Sequence, residues 1–530
     1  MFDQLVSTAR SAGRGVAVGA WARVENAACA RRLSAIGDVL EARLAAVGSA
    51  QRDQWCLDNW NAVACEVAAH HGVSLGVASH QLLVAMALRE RLPRVAEAFG
   101  AGWVSFRVVN TIVTRTGLIK DPEVAAKVDA EIAGVVTDWG VLSQDKIDNA
   151  VDDCVQRYDP WAVRRTELHA RGRRVTKTSD GGGTSTIEAV LFDHDAAAVD
   201  TRLDAIAQTV CAHDPRTLAQ RRADALGALG HGADRLACLC GVTDCAAAEI
   251  VPSAVVINVI TEERTLTDDT AAVLDGADPD GLSKPWSEMT LADAAADPPL
   301  RGPAHSPPAA VIGGAILPAP VLAAKAVTGA TIRWITHPGA ASPEPRYRPS
   351  AKLARFVRCR DMTCRFPGCR EPADVCDVDH TIAYPVGPTC ASNLKCLCRK
   401  HHLLVTFWGG PTGWRAEQRP DGTVIWTDPH GQTHVTRPGS FGLFPQLCRP
   451  TAPVTLNIAR RAAARHRQPQ SARGPAMPRR SRTRAQDRAH RITTERTRNR
   501  DAAGNRVKPV KRAAFTPRRR PLGEDDPPPF

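Results

Sequence analysis

Two short ligand spacings constrain this chain more than any other feature: Cys364-x4-Cys369, and about thirty residues later Cys398-x2-His401. Pro367-Gly368 turns the backbone between the first two sulfurs so that they converge. Cys398 and His401 lie three residues apart, which on a helix puts them on one face. Together they supply four sulfur and nitrogen ligands, the number that Zn²⁺ takes in a closed tetrahedral site. A segment stapled in this way can fold on very little apolar surface. Cys376, Cys390 and Cys396 are extra sulfurs nearby, any of which is available as an alternative ligand, and Cys396, alternating with Cys398, is expected to pack inward.

A second set of side chains sits inside the same frame. Asp379 and His380 are adjacent, and neighbours on a strand point to opposite sides. One can hold a cation while the other faces a water. His402 follows His401 by one helical step of about 100°, so it turns away from the zinc ligands and can reach toward Asp379. A carboxylate and an imidazole with open positions suit a hard or borderline divalent ion such as Mg²⁺ or Mn²⁺.

The rest of the chain reads as α+β in several parts, since 530 residues exceed one ordinary core. Residues 1–25 form an N-terminal segment and 26–335 a mainly helical domain. Apolar residues recur at helical spacing over Val73–Phe99, punctuated by Pro93, and over Val104–Thr116, Pro122–Trp139 and Gln144–Arg157. Lys120-Asp121-Pro122 reads as a helix start. Thr184–Phe192 and Ala254–Thr261 read as strands, with helix between them over His194–Leu229. Residues 275–310 are an Asp-, Pro- and Gly-rich connector. A Pro-rich linker spans 336–350, and the cysteine–histidine domain spans 351–440, ending in strands over Trp414–Trp426 and Thr427–Thr436. Residues 441–530 are Arg-rich and expected to be a disordered tail.

Charge follows this division. The net charge is +12, yet residues 451–530 hold 21 basic and 6 acidic residues, so the remainder carries −3. A basic arm of this kind favours phosphate backbones without reading sequence. Arg outnumbers Lys 57 to 11, a codon bias before it is a chemical choice. Nearer the cysteines, Arg355, Arg358, Arg360 and Arg365 form a basic strip expected to contact DNA. Lys395, Arg399 and Lys400 border the second histidine helix and either neutralise phosphates or form a solvated face. Trp408, Trp414 and Trp426 are expected to make a minimal core in preference to stacking on bases. Met1–Gly19 contains Arg10 and Arg14 and no uninterrupted apolar run, and no apolar stretch of spanning length occurs. A cytoplasmic protein with no membrane association is expected. In a reducing compartment the sixteen cysteines read as metal ligands first. Cys238, Cys240 and Cys245 make most of another ligand set, for which His231 or Cys211 is the available fourth member; buried thiols are the favoured reading there.

His380, Asn393 and His402 match the three letters of the HNH endonuclease motif, and the flanking pairs match its zinc-stabilised branch. The resemblance implies a ββα-metal fold with one catalytic cation. His380 would deprotonate the attacking water, Asp379 and His402 would hold the cation, and Asn393 would position the loop of the base or complete the metal shell. Thr406 stands where many such nucleases have a further histidine. More widely, the helical first half, RLACLCG (235–241), the run from Tyr347 to Cys369 and NLKCLCRKHHLL (393–404) resemble the actinobacterial 13E12 repeat family. Its members join a long domain of unknown function to a C-terminal HNH domain. The expected function is therefore a DNA endonuclease acting on phosphodiester bonds, with DNA and no small molecule as substrate. A DNA-binding or mobile-element protein that has lost cutting, and an RNA nuclease, are the alternatives.

Overall fold

The computed structural model describes residues 2–139, 142–163, 174–179, 184–248, 258–268, 284–296, 306–312, 316–326, 331–456 and 476–505. These residues mix helices with small sheets, as an α+β chain should. The chain divides into two units that interleave in sequence. One comprises Met1–Gly37, Val84–Arg165 and Ser481–Phe530; the other comprises Asp38–Leu83 and Thr166–Arg480.

The first unit is helical. Pro93–Gly100, Phe106–Arg115, Pro122–Val135 and Gln144–Tyr158 bury Val95, Phe99, Ile112, Val128, Ile132, Ile147 and Val151 between them. Local chemistry sets the boundaries. Asp121 accepts from the Glu123 N–H at 2.8 Å, with Pro122 in the first turn, and Ser105 caps the helix that begins at Phe106. Buried Asp129 accepts from the N–H groups of Arg94 and Val95 at 2.9 and 3.0 Å, so a neighbouring helix closes the N-terminus at Pro93.

Residues 1–25 are not a separate segment. Helices span Phe2–Ser11 and Arg14–Ala45. The expected tail is likewise ordered in part. Short 3₁₀ turns follow at Gly439–Phe441 and Pro445–Cys448, and Arg484–Asn505 is a helix. The reason is pairing of the arginines: Arg480 binds Asp58, while Arg496 donates to Asp159 at 2.5 Å. Arginines that find carboxylates and carbonyls need not remain solvated. Residues 457–475 and 506–530 of that tail, like half of the connector at 275–310 and the start of the strand expected over Ala254–Thr261, lie outside the described residues.

In the second unit the helix Asn59–His71, capped by Asp58 and ended by Gly72 at φ 66°, lies on the cysteine–histidine segment. Leu57, Ala62, Cys65 and Ala69 share one core with Phe356, Cys364, Phe366, Leu394, Trp408, Trp414, Trp426 and Phe444. The three tryptophans are core residues, as expected, and the Trp408 indole donates to the Leu57 carbonyl at 3.1 Å. Two buried acids secure the same contact. Glu66 accepts from His430 at 3.0 Å and pairs with Arg43; burial nevertheless pushes its carboxyl up. Asp428 accepts from His70 and His434 at 2.9 and 3.1 Å. Strands Arg415–Gln418, Val424–Thr427 and Thr433–Thr436 form an antiparallel sheet around Trp426, and the turns between them place Gly422 and Gly431 at positive φ. Elsewhere in this unit Ser185–Val190 pairs with Arg174–Ser179, a strand that composition did not reveal. No single helix among the described residues is long and apolar enough to cross a membrane; one pair bent by 110°, Asn59–His71 with Leu75–Glu90, passes by length and composition together.

Candidate metal and nuclease site

The expected ligand set converges. One donor atom each from Cys364, Cys369, Cys398 and His401 lies within 4.8 Å of the others. His401 Nδ1 stands 3.5 Å from Cys364 Sγ and 3.2 Å from Cys398 Sγ. The Phe366 ring stacks on His401 at 4.1 Å and fixes its plane. Gly368 makes the knuckle possible twice over: it sits at φ 72°, and a Cβ there would meet the Val73 carbonyl at 2.6 Å. Cys364, Cys398 and His401 are buried. Hydrogen bonds with Cys364 and Cys369, then with His401, hold the Cys398 thiol well below its ordinary range. Three sulfurs and an imidazole in one buried cluster fit a closed zinc site. The extra cysteines stay outside it: Cys376 bonds the Pro372 carbonyl at 3.1 Å, Cys390 faces Ser392, and Cys396 is fully buried in its strand.

The strand Asp377–His380 pairs antiparallel with Leu394–Leu397, and the helix Arg399–Phe407 follows. Asp379 lies opposite Lys395, whose ammonium donates to Asp379 Oδ2 at 2.9 Å. The other carboxylate oxygen, Oδ1, is 3.5 Å from His402 Nε2. His402 Nδ1 is 2.8 Å from Asp377 Oδ2. An ionised carboxylate only accepts, so Nδ1 donates to Asp377, and the second ring nitrogen, Nε2, is turned toward Asp379. Asp377 was not expected. The strand period of two, which puts residues 377 and 379 on one face, was the signal that could have found it.

His380 is fixed from the other side. Its Nε2 lies 2.9 Å from Thr389 Oγ1, and that hydroxyl gives its single proton to the Arg346 carbonyl at 2.6 Å. The Thr389 oxygen must therefore accept, which leaves the proton on Nε2 and a free lone pair on Nδ1. Tyr347 stacks on the ring at 5.3 Å. Burial pulls the imidazole below its usual range, opposed by Asp379. Arg346 and Tyr347 belong to the stretch expected to be a linker; it instead supports the site, with the Glu344 N–H donating to the Thr389 carbonyl at 2.9 Å.

Asn393 is fully buried. Its amide oxygen accepts from the Ile382 N–H at 2.8 Å, and its nitrogen donates to the carbonyls of Ile382 and Pro388, both at 2.9 Å. Of the two roles expected for it, the contacts fit loop positioning. Asn393→Ala leaves these three backbone groups without a partner, and we expect a stability loss of about 1–3 kcal/mol in urea denaturation. An unchanged midpoint would contradict the assignment.

The expected basic strip is largely structural. Arg360 is buried against Asp361 at 2.8 Å and donates to the carbonyls of Ala391 and Leu394 at 2.8 and 2.7 Å. Arg365, also buried, donates to Gly422 at 3.2 Å, Thr436 at 2.6 Å, and Arg437. Arg358 bonds the carbonyls of Ala373 and Cys376 at 3.1 and 3.2 Å. Lys395 is buried on Asp379. Arg360, Arg365 and Lys395 are thus buried with their charged groups turned to interior acceptors, and half-buried Arg358 spends two of its donors on carbonyls. Arg399 and Lys400 are exposed and Arg355 half-buried, so they remain available. The Thr406 hydroxyl donates to the His402 carbonyl at 2.7 Å, which secures that turn of the helix.

Comparison with known proteins adds the following. Residues 20–282 match the domain of unknown function DUF222, the N-terminal domain of the 13E12 family. Uncharacterized protein Rv2100 of Mycobacterium tuberculosis (strain ATCC 25618 / H37Rv) is 47% identical over 499 residues, 92% of this chain and 88% of the relative. Uncharacterized protein Rv3776 of the same strain is 48% identical over 486 residues, 90% and 88% of the two chains. No solved structure matches.

Proposed function

This chain belongs to the DUF222 family of these mycobacterial proteins, and from that premise we propose that it is a DNA endonuclease whose cutting centre is a zinc-stapled HNH domain. The observation that carries the reading is the pairing of two differently prepared imidazoles. His402 turns its Nε2 toward Asp379, where a cation between the two would meet an imidazole nitrogen and a carboxylate oxygen, and His380 keeps an Nδ1 lone pair open on the strand that carries Asp379.

Asp379 Oδ1 and His402 Nε2 would hold one Mg²⁺ or Mn²⁺. That ion, when bound, would supply Lewis-acid stabilisation to the scissile phosphate and the leaving 3′ oxygen. The chain's own residues do the remainder. His380 Nδ1 takes the proton of the attacking water, while Thr389 and Tyr347 keep the ring from rotating. Asn393 fixes the loop behind it. Asp377 holds His402 in the ligating tautomer, as carboxylates behind metal-bound histidines do. Zn²⁺ at Cys364, Cys369, Cys398 and His401 would serve the fold. Arg355, Arg399 and Lys400, with the basic C-terminal region, would meet phosphates.

The test is nicking of supercoiled plasmid by the full chain with Mg²⁺ or Mn²⁺, stopped by chelation. DNA binding without nicking would support a protein that has lost cutting, and preferential cleavage of single-stranded RNA would favour an RNA nuclease. Asp377→Asn should raise the metal concentration needed for half-maximal nicking by about 10–100-fold. An unchanged metal requirement would remove Asp377 from the site.

A further inference from the structure

The second unit contains another thiol cluster, far from any role in cutting. Cys211, Cys238, Cys240 and Cys245 bring four sulfurs within 4.8 Å of one another. The sequence favoured buried thiols here, because the closest three cysteines lack a fourth partner. Folding supplies it: Cys211, twenty-seven residues away, has its sulfur 3.5 Å from that of Cys238. We propose that these four cysteines hold a second structural Zn²⁺, which staples the Asp193–Ala248 part of the DUF222 domain.

Three observations support the assignment. The spacing fits first. Sulfurs at the corners of a tetrahedron around zinc, with Zn–S of about 2.3 Å, stand about 3.8 Å apart, whereas a disulfide needs about 2.05 Å. All four cysteines are free. The backbone fits next. The N–H of a residue two positions on reaches three of the sulfurs: His213 to Cys211, Val242 to Cys240 and Ala247 to Cys245. Gly241, at φ 69°, makes the turn that allows this.

The third observation is what the segment lacks. Among the described residues, its helices Asp193–Ala207 and Leu218–Gly230 share a core cluster of three buried residues, Ile206, Ala225 and Leu236, with Leu203, Val210, Ala228 and Leu229 packed against it. So small a core rarely holds a fold without a staple. The ligand loops are already aligned, since Asp214 accepts from the Leu239 N–H at 2.9 Å, and Arg216 ties Asp214 to the Ala237 carbonyl, also at 2.9 Å.

Metal analysis of the purified full chain tests this separately from the nuclease reading. Two zinc ions per chain are expected. Cys240→Ser or Cys245→Ser should lose one, Cys398→Ser should lose one, and the combined variant should lose both. One zinc in the parent, unchanged by Cys240→Ser and Cys245→Ser, would overturn the proposal. If those variants aggregate, alkylation of the parent decides. Cys211, Cys240 and Cys245, all part-exposed, should resist alkylation until a chelator is added. Reaction before chelation, or none until a reductant is added, would equally overturn it.

Discussion

Replacing His380 with alanine will reduce nicking of supercoiled plasmid by at least ~10²-fold, while DNA binding and thermal stability stay near those of the parent. The magnitude is that of a positioned general base, about 10²–10⁴ in rate. Stability should hold because His380 is half-buried and its one described hydrogen bond goes to a hydroxyl that keeps a backbone partner. The sign of its pKa shift also favours the role. Burial keeps the imidazole unprotonated near neutral pH, which is the form a base needs. His402→Ala makes the useful contrast, since it should fail by losing metal and should recover in part at high Mn²⁺, whereas His380→Ala should not. Equal nicking by parent and His380→Ala would end the mechanism and leave the metal sites untouched.

What could be read from the sequence was what is local in the chain. Cys398 and His401 share a helical turn, Cys364 and Cys369 share a knuckle, and Asp121-Pro122 starts a helix because both residues act within one turn. What could not be read depended on partners distant in sequence. Arg360 and Arg365 looked like a phosphate-binding strip because an arginine aimed at DNA and one aimed at interior carbonyls are the same letter. Their acceptors at 391, 394, 422 and 436 appear only once the chain is folded. Lys395 was misassigned for the same reason, as its partner is across a ladder. Cys211 and Cys238 meet only through a helical hairpin. Tyr347 and Arg346, in a proline-rich stretch that looked like a tether, prove to support His380.

Cys398→Ser will have the largest effect on stability, unfolding residues 351–456 and releasing one zinc. Structural zinc sites in small domains carry on the order of 10–16 kcal/mol of binding energy at neutral pH, as much as the whole folding free energy of a typical domain, about 5–15 kcal/mol. The elements concerned cannot compensate. The strand Leu394–Leu397 and the helix Arg399–Phe407 are short, and their join is Cys398 itself, whose backbone N–H donates to Cys364 Sγ at 3.3 Å. Without metal, three thiols and an imidazole are left buried beside Phe366 and Cys65, where burial already forces the Cys65 thiol well above its ordinary range. Circular dichroism and limited proteolysis should show the loss at Cys398→Ser and, reversibly, on chelation of the parent. The helical unit built from residues 84–165 has its own core and should keep its signal. A folded, zinc-replete Cys398→Ser protein would show that packing alone holds this segment, and the case for a zinc-stapled nuclease would lose its foundation.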